Sequence, residues 1–158
     1  MWMEPNKKNF IPHPCLWYKR KFILLGNKLG FSIGENCFGY GLVLHHPGTI
    51  VVGANNRIGN FALVNTSTCI VKNNSFIGDG LYMWSGAKII SNVVMGNNTQ
   101  IGANAVVNKS FEGGNILIAG IPGKEMKKVE KGWWETLYGE QWKKRHDEVV
   151  RLRIKMLG

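Results

Sequence analysis

Residues 77–106 read IGDGLY MWSGAK IISNVV MGNNTQ IGANAV, and the period of this stretch decides the fold. An aliphatic residue or Met returns every sixth place. Followed outward, the same place is filled by Val52, Ile58, Val64, Ile70, Ile77, Met83, Ile89, Met95, Ile101 and Val107. One extra residue interrupts the register after Ile70, and Phe76 is taken as the slip. Gly recurs at the second place (residues 53, 59, 78, 96 and 102), and the fifth is small in Ala62, Thr68, Ala87, Thr99 and Ala105.

A six-residue period suits neither a 3.6-residue helix nor a strand that alternates every two. It suits a parallel β-helix in which each hexad is one flat side and three hexads close one coil. The first-place side chain then points inward and stacks on its equivalent in the next coil. Asn and Gly mark the corners, where turns require positive φ. A β-sandwich of short strands, the competing fold, has no reason to hold this register through residue 112.

The flanks lack the hexad. Residues 1–30 read as an irregular arm and a short helix over 17–28. Residues 113–124, GGNILIAGIPGK, read as a last strand and a turn. From Met126 onward helical composition dominates, broken near Gly132 and Gly139, with Trp142, Val149, Val150, Leu152 and Met156 available for an apolar stripe. The expected organisation is an N-terminal arm and helix (1–30), a β-helix (31–124) and a C-terminal helical extension (125–158).

Lys and Arg number 20 against 10 Asp and Glu, a formal net charge of +10. Such a surface attracts phosphates of nucleic acid, lipid or a cofactor alike. No zinc-finger spacing or aromatic RNA-binding pattern supports nucleic acid. The three cysteines, Cys15, Cys37 and Cys69, are widely spaced, which disfavours a disulfide framework or a metal site. No apolar run reaches the ~20 residues of a membrane span, and the N-terminus lacks signal-peptide order. A cytoplasmic protein is expected, with the basic, aromatic termini (Trp133, Trp134 and Trp142 among them) offering a peripheral contact with the inner face of a membrane.

The hexads, AGIPGK at 119–124, and GLVLHHPGTIVVG at 41–53 followed by NRIGN resemble the left-handed β-helix acyltransferases. Within them the His segment is similar to the serine acetyltransferase branch. GTIVV, SGAKI and IGANAVVNKSF resemble its short members that O-acetylate capsular, lipopolysaccharide or exopolysaccharide sugars. The resemblance spans residues 30–126 and implies an all-β left-handed parallel β-helix. It also implies homotrimers with active sites between subunits, and acetyl-CoA as acyl donor without a metal.

The family's general base falls on His46. An imidazole with an ordinary pKa near 6.5 is mostly neutral at pH 7 and can accept a hydroxyl proton. Corner N–H groups can stabilise the oxyanion. The resemblance carries cofactor contacts to Ser85, Gly86 and Ala103, where small residues let pantetheine approach. Lys109 and Lys124 become the expected partners of CoA phosphates. Strand alternation turns His45 away from His46, giving it a supporting or surface role. His13 and His146 lie outside the motifs and are expected to be structural.

Serine acetyltransferases place an Asp upstream of the base. Here FSIGEN offers Ser32 at that place and Glu35 nearby. Their second active-site His is replaced by Asn74, the preceding Gly-rich loop is missing, and about 30 residues precede the repeats in place of a long helical domain. Asn65 either contacts acceptor or oxyanion or is a corner Asn. Trp84 either stacks on a sugar or pantetheine or caps a subunit contact. These differences favour a sugar hydroxyl as acceptor, with serine O-acetylation and a non-catalytic repeat scaffold as the alternatives.

Overall fold

A computed structural model describes residues 13–71 and 74–157. The N-terminal arm over residues 1–12, including its share of the expected membrane contact, lies outside them. So does the side chain of His13. Helix α1 (His13–Leu29) leads into a parallel β-solenoid of about five turns.

Three sheets form its sides. The first stacks β1 (Phe31–Ile33), β3 (Ile50–Val52), β6 (Thr68–Ile70), β9 (Lys88–Ile89) and β12 (Val106–Val107). The second stacks β4 (Arg57–Ile58), β7 (Phe76–Ile77) and β10 (Val94–Met95). The third contains β2 (Val43–Leu44), β5 (Leu63–Val64), β8 (Tyr82–Met83), β11 (Thr99–Ile101) and β13 (Ile116–Ala119). All these pairs are parallel and in register, Ile50 on Thr68 and Ile58 on Ile77 for example.

The first-place residues form the core. Val52, Ile58, Val64, Ile70, Ile77, Met83, Ile89, Met95, Ile101 and Val107 are all buried, as are the small fifth-place residues beside them. Burying one aliphatic side chain of this size contributes about 1.5–3 kcal/mol, so the column is the main stabilising feature.

The corners separate two requirements that sequence reasoning had merged. Positive φ falls at the fourth place of the hexad, in Asn55, Phe61, Ser67, Gly80, Gly86, Asn98 and Asn104. The second-place glycines answer to stacking: a Cβ on Gly59 would lie 2.7 Å from the Asp79 nitrogen, and one on Gly78 2.8 Å from that of Asn97. Third-place side chains form a ladder between coils. Asn60 Oδ1 accepts from Tyr40 N–H (2.9 Å), Asp79 Oδ1 from Asn60 N–H (2.7 Å), and Asn97 Oδ1 from Asp79 N–H (2.8 Å). Corner amides that face no strand partner are satisfied in this way.

Two expectations are corrected. Phe76 is not the slip, because it pairs in register with Arg57 and Val94. The extra residue falls between β6, which ends at Ile70, and β7, which begins at Phe76. Nor does helix begin at Met126: β14 (Lys124–Lys128) turns back after Pro122 and pairs antiparallel with β13. A strand laid there covers the edge that the last coil would otherwise leave open.

Two helices follow, α2 (Trp133–Tyr138) and α3 (Glu140–Leu157), with Gly132 and Gly139 bounding the first. Trp133 and Trp134 are buried with Phe61 and Leu63 on the outside of the solenoid. Trp133 Nε1 donates to the Phe61 carbonyl at 2.8 Å, and Trp134 stacks on His146 with ring centroids 4.5 Å apart. Buried indoles are unavailable to a bilayer, so Trp133 and Trp134 are not a membrane contact.

Candidate active site

The corner between the third and first sheets gathers most of the sequence-predicted residues. Strand β2 ends at Leu44 and the chain turns through His45, His46, Pro47 and Gly48 into β3. Successive coils place Asn65 and Thr66, Trp84 and Ser85, then Gly102 and Ala103 beneath that pair. The backbone fixes the alignment: His45, Asn65, Trp84 and Gly102 donate N–H to Val64, Met83, Ile101 and Ile118, each in the next coil. Gly86 N–H reaches the Thr66 carbonyl, and Asn104 N–H that of Ser85. At one strand spacing per coil, His46 and Ala103 are separated by about 14 Å along the corner.

Both histidines are exposed, with ring centroids 5.3 Å apart. His45 Nε2 shares a hydrogen bond with the Tyr138 hydroxyl at 3.0 Å, so α2 reaches the corner from outside. With Nε2 as acceptor, Tyr138 donates. The His46 ring has no hydrogen-bond partner among the described residues and faces solvent.

Asn65 is buried, its amide Nδ2 donating to the Met83 carbonyl at 3.0 Å. Trp84 is exposed at the same edge and lies 5.7 Å from the Tyr82 ring, which in turn neighbours Trp133. Ser85 and Ala103 are exposed. Gly86 is buried, and a Cβ on it would come within 3.0 Å of Asn104 Cγ. Lys124 pairs with Ala119, which puts it at the last coil of this same corner.

Other candidates lie elsewhere in the chain. Glu35 follows β1 at the next corner and binds Lys19 of α1 at 2.8 Å, so it does not orient His46. The ion pair holds Lys19 above the usual ammonium range through its hydrogen bond and charge contact with Glu35. Ser32 is on the outer face of the first sheet opposite Val51, without a hydrogen bond to His46. Asn74 is exposed at the corner between the first and second sheets, with φ 68°. Lys109 follows β12 toward that corner, its Nζ 5.4 Å from the Phe111 ring. Asn74 and Lys109 can meet the His46 edge only across a contact between chains.

Two residues of the corner were not singled out from sequence. Tyr138 had no local signal, since 93 positions separate it from His45. Lys88 stands in the quoted SGAKI, and its Nζ donates to the Gly86 carbonyl at 2.9 Å, bringing a cation to the corner. Among the described residues no three His, Cys, Asp or Glu side chains cluster as a metal site requires.

Six-residue sides, parallel stacking and inward aliphatic columns define the hexapeptide-repeat class of left-handed β-helix proteins. No family model matches the chain. It is 32% identical over 109 residues to serine acetyltransferase from Staphylococcus aureus, which covers 69% of this chain and 44% of the relative. Bifunctional protein GlmU from Saccharophagus degradans is 28% identical over 90 residues, covering 57% of this chain and 19% of that protein. The crystal structure of Neisseria gonorrhoeae serine acetyltransferase superposes with a TM-score of 0.52 at 28% identity, covering 60% of this chain and 38% of that one. The chain is thus similar in sequence to serine acetyltransferases, and its β-solenoid is consistent with the hexapeptide-repeat acyltransferases. It spans less than half the length of these relatives.

Proposed function

We propose that the protein is an acetyl-CoA-dependent O-acetyltransferase whose acceptor is a hydroxyl of a sugar or glycan precursor. The observation that carries it is the stacking of His46, Asn65, Ser85, Gly86, Ala103 and Lys124 along one corner. Small, exposed residues below the histidine suit an extended pantetheine arm lying against the backbone. Lys124 and Lys88 supply positive charge along the path, and Lys109 of a neighbouring chain would add to it in a trimer.

In the reaction, His46 takes the proton of the acceptor hydroxyl as its oxygen bonds to the thioester carbonyl carbon. The tetrahedral oxyanion is held by backbone N–H groups of the corner. Its collapse breaks the carbon–sulfur bond, and the imidazolium returns the proton to the departing thiolate. Acetyl ester and free CoA are the products, and the base is regenerated.

Tyr138 at His45, with Tyr82 and Trp84 two coils further along the same corner, supports the sugar acceptor, since flat rings pack against the C–H faces of pyranosides. Serine is the second reading, favoured by similarity to serine acetyltransferases over 109 residues. Release of CoA thiol from acetyl-CoA, measured with amino sugars, nucleotide sugars and L-serine in parallel, separates them. Turnover with a sugar and none with L-serine is expected. The reverse preference selects the serine reading, and no turnover without CoA binding selects a scaffold.

A further inference from the structure

Helix α1 carries large apolar side chains that the solenoid does not cover. Leu16, Trp17, Tyr18, Phe22, Ile23, Leu24 and Leu25 are each about half exposed or more, Tyr18 reaching 66%. At 100° per residue, the run Phe22–Leu25 points to most sides of the helix, so one supporting surface cannot bury it. The first coil takes one side only: Tyr18 and Phe22 line a groove with Ile33, Phe38 and Leu42, and Lys19 binds Glu35.

The charges on α1 have one sign. Lys19, Arg20, Lys21 and Lys28 are answered by no acidic residue in the helix, HPCLWYKRKFILLGNKL. Lys21 Nζ lies 3.7 Å from the centre of the Trp17 ring, pairing a cation with an indole. A second copy of α1 would bring the same cations against these, in a chain with 20 basic and 10 acidic residues. A surface that is apolar inside and anionic outside meets both features. At 17 residues the helix is about 26 Å long, and among the described residues no helix is long and apolar enough to cross a membrane.

We propose that α1 is a membrane-surface helix that lies in the headgroup region of a bilayer containing anionic lipid. Leu16 and Leu24 enter the acyl boundary, Trp17 sits at headgroup level, and Arg20, Lys21 and Lys28 contact lipid phosphates. The site is independent of the acetyl-transfer reading, and it differs from Trp133 and Trp134 of the C-terminal segment, which are buried.

Co-sedimentation of the full chain with vesicles tests it. The protein should pellet with phosphatidylcholine vesicles containing about one-third phosphatidylglycerol, weaken with added salt, and stay in solution with phosphatidylcholine alone. R20Q/K21Q/K28Q should weaken binding on the order of a hundredfold with an unchanged circular dichroism spectrum. L16S/L24S should lose it as well. If the wild type fails to pellet, or the charge variant pellets equally, the proposal is wrong. It is also wrong if L16S/L24S changes the mass in solution while vesicles bind neither protein, because α1 is then a contact between copies.

Discussion

The Tyr138 hydroxyl lies 3.0 Å from His45 Nε2, joining the C-terminal helices to the corner that presents His46. Tyr138 also stacks on Trp142, with ring centroids 4.8 Å apart, so its hydroxyl is held on a fixed ring. A hydrogen bond of this kind contributes about 1 kcal/mol, roughly a fivefold rate effect if it orders the acceptor site. Tyr138→Phe should therefore lower kcat/KM for the acceptor several-fold and leave acetyl-CoA binding unchanged. Steady-state kinetics with each substrate varied in turn checks this, and an equal loss for both would place Tyr138 outside the acceptor site.

Coil stacking makes a sharp distinction between glycines. Gly78→Ala would push a methyl group to 2.8 Å from the Asn97 nitrogen, in backbone that cannot move without parting the coils. Overpacking of this kind costs about 1–3 kcal/mol. Gly113→Ala meets nothing within 4 Å and should be neutral. Urea denaturation of the two variants beside the parent measures the difference; equal midpoints would mean that the coils are not in close contact at Gly78.

Cys37 is a buried thiol whose sulfur lies 3.4 Å from the Gly53 carbonyl. Burial pushes it above the ordinary thiol range, against smaller opposing effects from the Asn56 backbone and Arg57. The folded protein keeps the proton at a pH where the unfolded chain has lost it. Stability from this group is thus present below the ordinary thiol pKa and declines as pH rises toward the folded value. Wild type should lose stability more steeply than Cys37→Ala over that alkaline window, read from denaturation midpoints. Aromatic disulfide reagents should modify exposed Cys15 first and Cys37 only on unfolding.

The solenoid was legible because its determinants are local and repeated: Ile77, Met83, Ile89 and Met95 announce the inward column within one short stretch. The His46 corner was legible for the same reason, since hexad register alone aligns Asn65, Ser85 and Ala103 with it. Met126–Lys128 was not, because EMKK favours helix while the free edge at Ile116–Ala119 offers pairing that overrides propensity. Trp133 against Phe61 and Tyr138 against His45 join residues 72 and 93 positions apart, which no periodicity encodes. Glu35 was misplaced for a geometric reason: close to Ser32 in sequence, it is carried around a corner to Lys19.

The central claim is that His46 is the base for acyl transfer. The direct measurement is CoA release by His46→Ala beside wild type, using the acceptor with the highest turnover, together with CoA binding by calorimetry. The variant should lose about 10²–10⁴-fold in kcat while binding CoA as the parent does. Unchanged turnover in His46→Ala would contradict the account.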